Sequence, residues 1–329
     1  MSFNLNGREH PEEDGSCMIT TTVKPLGTTI LERIGHTPLV RLEGLTSRLP
    51  GIQILGKAEW TNPGGSVKDR AAASIVTDAQ RRGLLSASRG LLDATSGNTG
   101  IAYAMLGAAM GFPVTLCMPS NVSEARKRYL KAYGAEVVWT SPADGSDGAI
   151  RKAREMIAAE PDRYYYADQY SNDENWRAHY RTTGNEIWEQ TEGQVTHFVA
   201  ALGTTGTFMG TTRRLKELNP NIQCVSMQPD SPFNGLEGLK HMATAIVPKI
   251  YDPDLADRNI EMATERAYAM AKYMGRNLGL LVGVSAAAAT AAAVQLAEEE
   301  AAKGHEAVIV TILCDGADKY MTERFWTEE

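Results

Sequence analysis

Along most of this chain, short aliphatic or β-branched runs alternate with longer helix-like stretches, and that alternation limits the fold more than any other feature. The runs are IQILGKAE from Ile52, FPVTLCM from Phe112, THFVAAL from Thr196, IQCVSMQ from Ile222 and AVIVTILC from Ala307. Their length and residue types predict strands. Between them, the spacing of apolar residues predicts helices over 67–82, 101–110, 149–159, 208–218, 263–277 and 286–302, with Gly83, Gly111 and Gly304 at their C-caps. Strands and helices in this order make βα units around a mostly parallel sheet, an α/β fold. Polar stretches over 141–148 and 164–175 read as loops joining two halves, and residues 1–25, poor in aliphatics, read as a flexible arm.

A chain of 329 residues suits two domains or one large α/β unit. The 33 basic and 40 acidic residues leave a net charge of −7, which argues against a nucleic-acid surface and for a small substrate. Cys17, Cys117, Cys224 and Cys314 form no CxxC pair, and the six histidines show no metal-binding spacing, so no metal is expected. The N-terminus lacks the basic and apolar regions of a secretory signal. The longest apolar run, 285–297, is shorter than the roughly 20 residues a membrane span requires and leads into three glutamates. A cytoplasmic protein with no membrane contact is the expectation.

Three turns carry candidate chemistry. In TNPGGSVKDR, Pro63 and two glycines make a turn, and Ser66 with Asp69 reads as a capping box that starts a helix at Val67. Lys68 then falls in the first helical turn, where outward amides and the positive end of the macrodipole make a poor place for an ammonium ion. Schiff-base and general-base lysines act through the free amine. The other two turns, SGNTG over 96–100 and GTTGT over 203–207, each join a strand to a helix. Their glycines, hydroxyls and helix N-termini suit an anion. Neither matches GxGxxG or a P-loop, which disfavours a dinucleotide or nucleoside triphosphate. Cys314 ends the last strand at the carboxyl edge of the sheet, where open α/β sheets bind ligands, and strand alternation sends Cys314 and Asp315 to opposite faces.

Taken in order, NPGGSVKDR, DATSGNTG, FVAALGTTGT and ILCDGADKY resemble the pyridoxal-phosphate enzymes of the cysteine synthase and cystathionine β-synthase group, most closely the cysteine synthase B type. The resemblance implies fold type II, with two domains that are each a twisted, mostly parallel sheet flanked by helices. It places a smaller domain at 51–155, a larger cofactor-binding domain at 26–50 and 156–322, and a C-terminal tail at 323–329. Lys68 would form the Schiff base with pyridoxal 5'-phosphate, Gly203, Thr204, Thr205, Gly206 and Thr207 would cradle its phosphate, Asn98 would bond its phenolic oxygen, and Cys314 would meet its ring nitrogen. A thiol there is an essentially neutral partner, which favours β-replacement over transamination.

Thr95, Ser96, Gly97, Thr99 and Gln169 would bind the substrate carboxylate. Lys240 and His241 stand where sulfide-dedicated relatives are small and apolar, so a bulkier anionic sulfur donor such as thiosulfate is an expectation there. The implied reaction exchanges the acetate or phosphate of an O-activated serine for sulfide or thiosulfate. A homodimer and docking of a serine acetyltransferase are implied partners. The residues leave open replacement by an amine, dehydratase-like β-elimination, and a partner-binding protein that keeps the pocket.

Overall fold

A computed structural model describes residues 26–327. The expected arm over residues 1–25 and Cys17 lie outside them. The chain runs β1 (Leu39–Arg41), α1 (Glu43–Thr46), β2 (Ile52–Ala58), α2 (Lys68–Arg81), β3 (Gly90–Ala94), α3 (Asn98–Met110), β4 (Val114–Pro119), α4 (Glu124–Ala132) and β5 (Glu136–Thr140). It continues through α5 (Gly145–Ala159), β6 (Tyr164–Tyr166), α6 (Asp173–Arg181), α7 (Thr183–Gln190), β7 (His197–Ala201) and α8 (Gly206–Leu218). The last elements are β8 (Gln223–Pro229), β9 (Arg258–Met262), α9 (Thr264–Leu278), α10 (Val284–Ala302) and β10 (Ala307–Leu313).

Two sheets result. The larger has the order β1-β2-β10-β7-β8-β9 and is parallel except for the β1–β2 pair; the smaller has the order β5-β4-β3-β6 and is parallel throughout. Every residue of β3 and β4 is buried, as parallel strands covered by helices on both faces require. The helices lie close because their contact residues are small. Ala286–Ala293 of α10 are almost wholly buried in the core of the larger sheet. In α3, a Cβ on Gly107 would stand 2.5 Å from Val114 Cγ2, so only glycine permits this approach.

The six expected helices are all present, but their starts move. The capping box does not form as such: Ser66 Oγ accepts from the Lys68 amide (3.2 Å), whereas Asp69 turns back to accept from the Gly64 amide (2.5 Å), and α2 starts at Lys68. The helices after the two glycine-rich turns begin at Asn98 and Gly206, so each turn's end is itself the first helical turn. Residues 164–175, expected as a loop, contain β6 and the start of α6.

The expected domain limits shift too. β2 lies within 51–155 but pairs along its length with β10 in the larger sheet, and β6, beyond 155, completes the smaller one. Strand pairing, not chain order, divides the molecule. In the expected tail, Phe325 is buried and stacks on Tyr268 with ring centroids 4.3 Å apart. Among the described residues, no helix is long and apolar enough to cross a membrane, and no group of three or more potential ligands is placed to hold a metal.

Candidate active site

A cleft between the two sheets gathers residues from across the chain, from Lys68 to Tyr320. Its floor is set by the turn before α2. Gly65 N–H bonds to Asn62 C=O (2.8 Å), and Val67 N–H bonds to Cys314 C=O (2.8 Å). Ser66 also pairs with Asp315 in an isolated bridge. These bonds tie the segment carrying Lys68 to the end of β10, so Lys68 and Cys314, far apart in sequence, line the same cleft.

On one wall, β3 runs into the turn Thr95–Thr99. Thr95 Oγ1 accepts from the amides of Gly97 (3.1 Å) and Gly100 (3.3 Å), which fixes the turn from below. Thr99 Oγ1 donates to Gln169 Oε1 (2.8 Å), and Gln169 Nε2 donates to Ala94 C=O (2.7 Å). Thr95, Ser96, Gly97, Thr99 and Gln169 therefore stand together in the cleft. Behind them Asp93 is fully buried, and burial pushes its carboxyl up to about 8. The outward amides of the first turn of α3 complete a site suited to a carboxylate.

Across the cleft, β7 leads to Gly203–Thr207. Thr205 takes a left-handed conformation (φ 70°), and its buried hydroxyl has no partner within the protein. A Cβ on Gly203 would lie 2.4 Å from Gly238 C=O, and one on Gly206 would lie 2.0 Å from Asn175 Oδ1. α6 braces this turn. Asn175 Nδ2 donates to Gln169 C=O (2.6 Å) and to Thr204 Oγ1 (3.1 Å), while His179 Nε2 stands 3.3 Å from Thr207 Oγ1. Burial, with Arg70 nearby, pushes His179 down to about 3, so the ring is neutral. An orphan hydroxyl, a backbone held open by glycine and the N-terminus of α8 fit a phosphate group.

Asn98 and Cys314 lie between these walls. Burial pushes the Cys314 thiol up to about 11, so it is neutral near pH 7; its Sγ faces Ile312 C=O at 3.7 Å. Asp315, which lies past the end of β10 and so outside its strand alternation, is fully buried and accepts from Asn98 Nδ2 (2.7 Å) and Tyr320 OH (2.7 Å). One hydrogen of the Asn98 amide is thus taken by the protein; the second is the one available to a ligand, and Asn98 Oδ1 is buried without a partner.

Two expected residues are not brought into this cleft. Lys240 Nζ pairs with Asp147 (2.8 Å) and sits 5.1 Å from the centre of the Tyr170 ring, facing an adjoining depression; His241 Nδ1 bonds Thr244 Oγ1 (2.9 Å). The structure adds lining residues that were not among the expected site residues, namely Arg126, Tyr170, Glu237, Ser285 and Tyr320. Tyr320 closes the segment ILCDGADKY, but nothing in that segment's spacing gave it a role in the cleft.

Two parallel sheets meeting at a cleft, with a lysine at one helix N-terminus facing two anion-binding turns, define a class of cofactor enzyme. The chain belongs to the family of pyridoxal-phosphate dependent enzymes, whose family model matches residues 30–315. Its relatives narrow the class. It is 51% identical to the cysteine synthase of Aquifex aeolicus over 303 residues, 92% of this chain and 93% of that protein. It is 42% identical to the cysteine synthase B of Pseudomonas aeruginosa over 297 residues, 89% of this chain and 96% of that protein. In three dimensions it resembles the cysteine synthase of Entamoeba histolytica, with a TM-score of 0.86 at 34% identity, covering 95% of each chain.

Proposed function

We propose that this enzyme replaces the oxygen substituent of an O-activated serine with sulfide, giving L-cysteine. One observation carries the reading: Lys68 opens into a single cleft between a carboxylate-binding turn, Thr95–Thr99, and a phosphate-binding turn, Gly203–Thr207. The cysteine synthases among its relatives support the same reading.

Gly203–Thr207 and the first amides of α8 would hold the phosphate of pyridoxal phosphate, Asn98 would hold its ring oxygen, and Lys68 would bind it covalently. When bound, the cofactor supplies an electron sink for the bond broken at the substrate's Cα. Thr95, Ser96, Thr99 and the α3 amides fix the substrate carboxylate, with Gln169 held in place through Ala94. Lys68 Nζ takes the Cα proton and returns it once sulfide has displaced the leaving group at Cβ. Cys314 would stand beside the cofactor's ring nitrogen as a neutral thiol, a partner that would not hold a proton there as a carboxylate would and so would favour β-replacement over transamination. The Asp147 pairing of Lys240 supports sulfide over thiosulfate as the nucleophile. The same reading makes the enzyme a cytoplasmic homodimer, with docking of a serine acetyltransferase as a further role. The unpaired thiols of Cys117, Cys224 and Cys314 fit a reducing compartment.

The test is the visible spectrum of the purified protein, with cysteine formation measured from sulfide and either O-acetylserine or O-phosphoserine. A yellow band that is absent in Lys68→Ala, shifts with one donor and accompanies cysteine formation is expected. A coloured protein indifferent to both donors overturns the reading.

A further inference from the structure

The cleft contains an ion pair that the chemistry at Lys68 does not use. Arg126 of α4 is only 2% exposed and lines the cleft beside Gly97. Its Nη1 donates to Glu237, which lines the same cleft from the loop after β8, and its guanidinium stands 4.8 Å from the centre of the Tyr320 ring. Its Nε is buried and has no acceptor within the protein. A Cβ on Gly97 would be 2.5 Å from that Nε, so this unused donor lies against the turn that faces the substrate.

We propose that the Arg126–Glu237 pair selects the leaving group of the amino-acid donor, admitting a neutral O-acyl serine and disfavouring an O-phosphorylated one. The proposal rests on the β-replacement reading and names the substrate class for that site. A phosphoryl ester brings a charge of roughly −1.5 to −2 and three oxygens that require charge-assisted donors. Among the described residues lining the cleft, Lys68 and Arg126 are the cations and Glu237 is the anion. Lys68 is committed to the cofactor. Arg126 is already neutralised, and the carboxylate that neutralises it opposes any second anion entering beside it.

The two anion-binding turns are also committed, one to the cofactor phosphate and the other to the substrate carboxylate. Beside that pair, the Nε N–H of Arg126, buried and without an acceptor in the protein, is matched by the carbonyl oxygen of an acyl ester. Lys240, the nearby cation that would favour a phosphate, is held by Asp147.

The holoenzyme is assayed with sulfide and each donor as native protein, as Glu237→Gln and as Glu237→Asp, with inorganic phosphate as a competitor. Native enzyme is expected to prefer O-acetylserine. In Glu237→Gln, kcat/KM for O-phosphoserine relative to O-acetylserine should rise on the order of tenfold, and phosphate should inhibit more strongly. Glu237→Asp, which keeps the charge, should hold the native ratio. A native preference for O-phosphoserine, or an unmoved ratio in Glu237→Gln while cysteine is still made, overturns the proposal alone. Native holoenzyme that makes cysteine from neither donor overturns the β-replacement reading together with it.

Discussion

On the proposed reading, the residue whose chemistry matters most beside Lys68 is Cys314, because its neutral thiol would face the ring nitrogen. Replacing it with Asp puts a carboxylate at the same position. Cys314→Asp is expected to slow cysteine formation and raise the share of transamination product, measured as keto acid released per cysteine formed. Cys314→Ser, which is also neutral near pH 7, should leave that partition as it is. Lys68, Asn98, Cys314 and the two anion-binding turns were legible in the sequence because each sits in a short segment whose residue types already state its local geometry. Arg126, Glu237 and Tyr320 were not. They reach the cleft from α4, from the loop after β8 and from beyond β10, and no spacing within one segment records a meeting of three. Lys240 looked like a cation free for a ligand because Asp147 lies 93 positions away.

At the scale of elements, α6 does the bracing that keeps the Gly203–Thr207 turn in shape. At Gly206 the two elements leave no room for a side chain beside Asn175. Gly206→Ala is expected to push Asn175 off its bonds to Gln169 and Thr204 and to weaken cofactor binding by about tenfold or more, read by titrating apoprotein with pyridoxal phosphate. Sequence reading placed the long apolar helices and buried strands well, since their patterns are strong. It passed over α6, β6 and α7 for a physical reason. The segment DENWRAHYR is mostly polar and buries only a narrow stripe, so its helix owes more to packing against α8 than to any apolar period of its own. The helices after the glycine-rich turns began earlier than read because Gly and Thr carry poor helix propensity, yet there they form the first turn.

At the scale of the whole molecule, a buried charge network fixes α2, and so Lys68, against its surroundings. Arg70 bonds Glu59 (2.8 Å) and Glu186 (2.6 Å), and Lys57 bonds Glu186 (2.6 Å) and Thr37 C=O (2.6 Å). Glu59→Gln removes one charge from this set and should cost on the order of 3 kcal/mol, read from the denaturant midpoint. Acid acts through His179. Its folded value of about 3 lies below the unfolded value of about 6.5, so its contribution to stability is full above pH ~6.5 and is lost as pH falls toward 3. Asp69 and Asp93 act in the opposite sense: burial raises them to about 7 and about 8, so each subtracts stability as pH climbs from ~4. The melting temperature of His179→Gln should therefore fall less steeply than that of the native protein between pH 7 and pH 4; equal slopes would refute the assignment. The order of strands in the larger sheet also bears on how the protein is born. The four strands of the smaller sheet, from Gly90 to Thr140 with Tyr164–Tyr166, leave the ribosome in one stretch. β10 sits between β2 and β7 and is the last strand to emerge, so during translation β2 lacks its parallel neighbour on the order of tens of seconds. The nascent chain spends that interval with two apolar strand edges open, and it is then that a chaperone has most to protect.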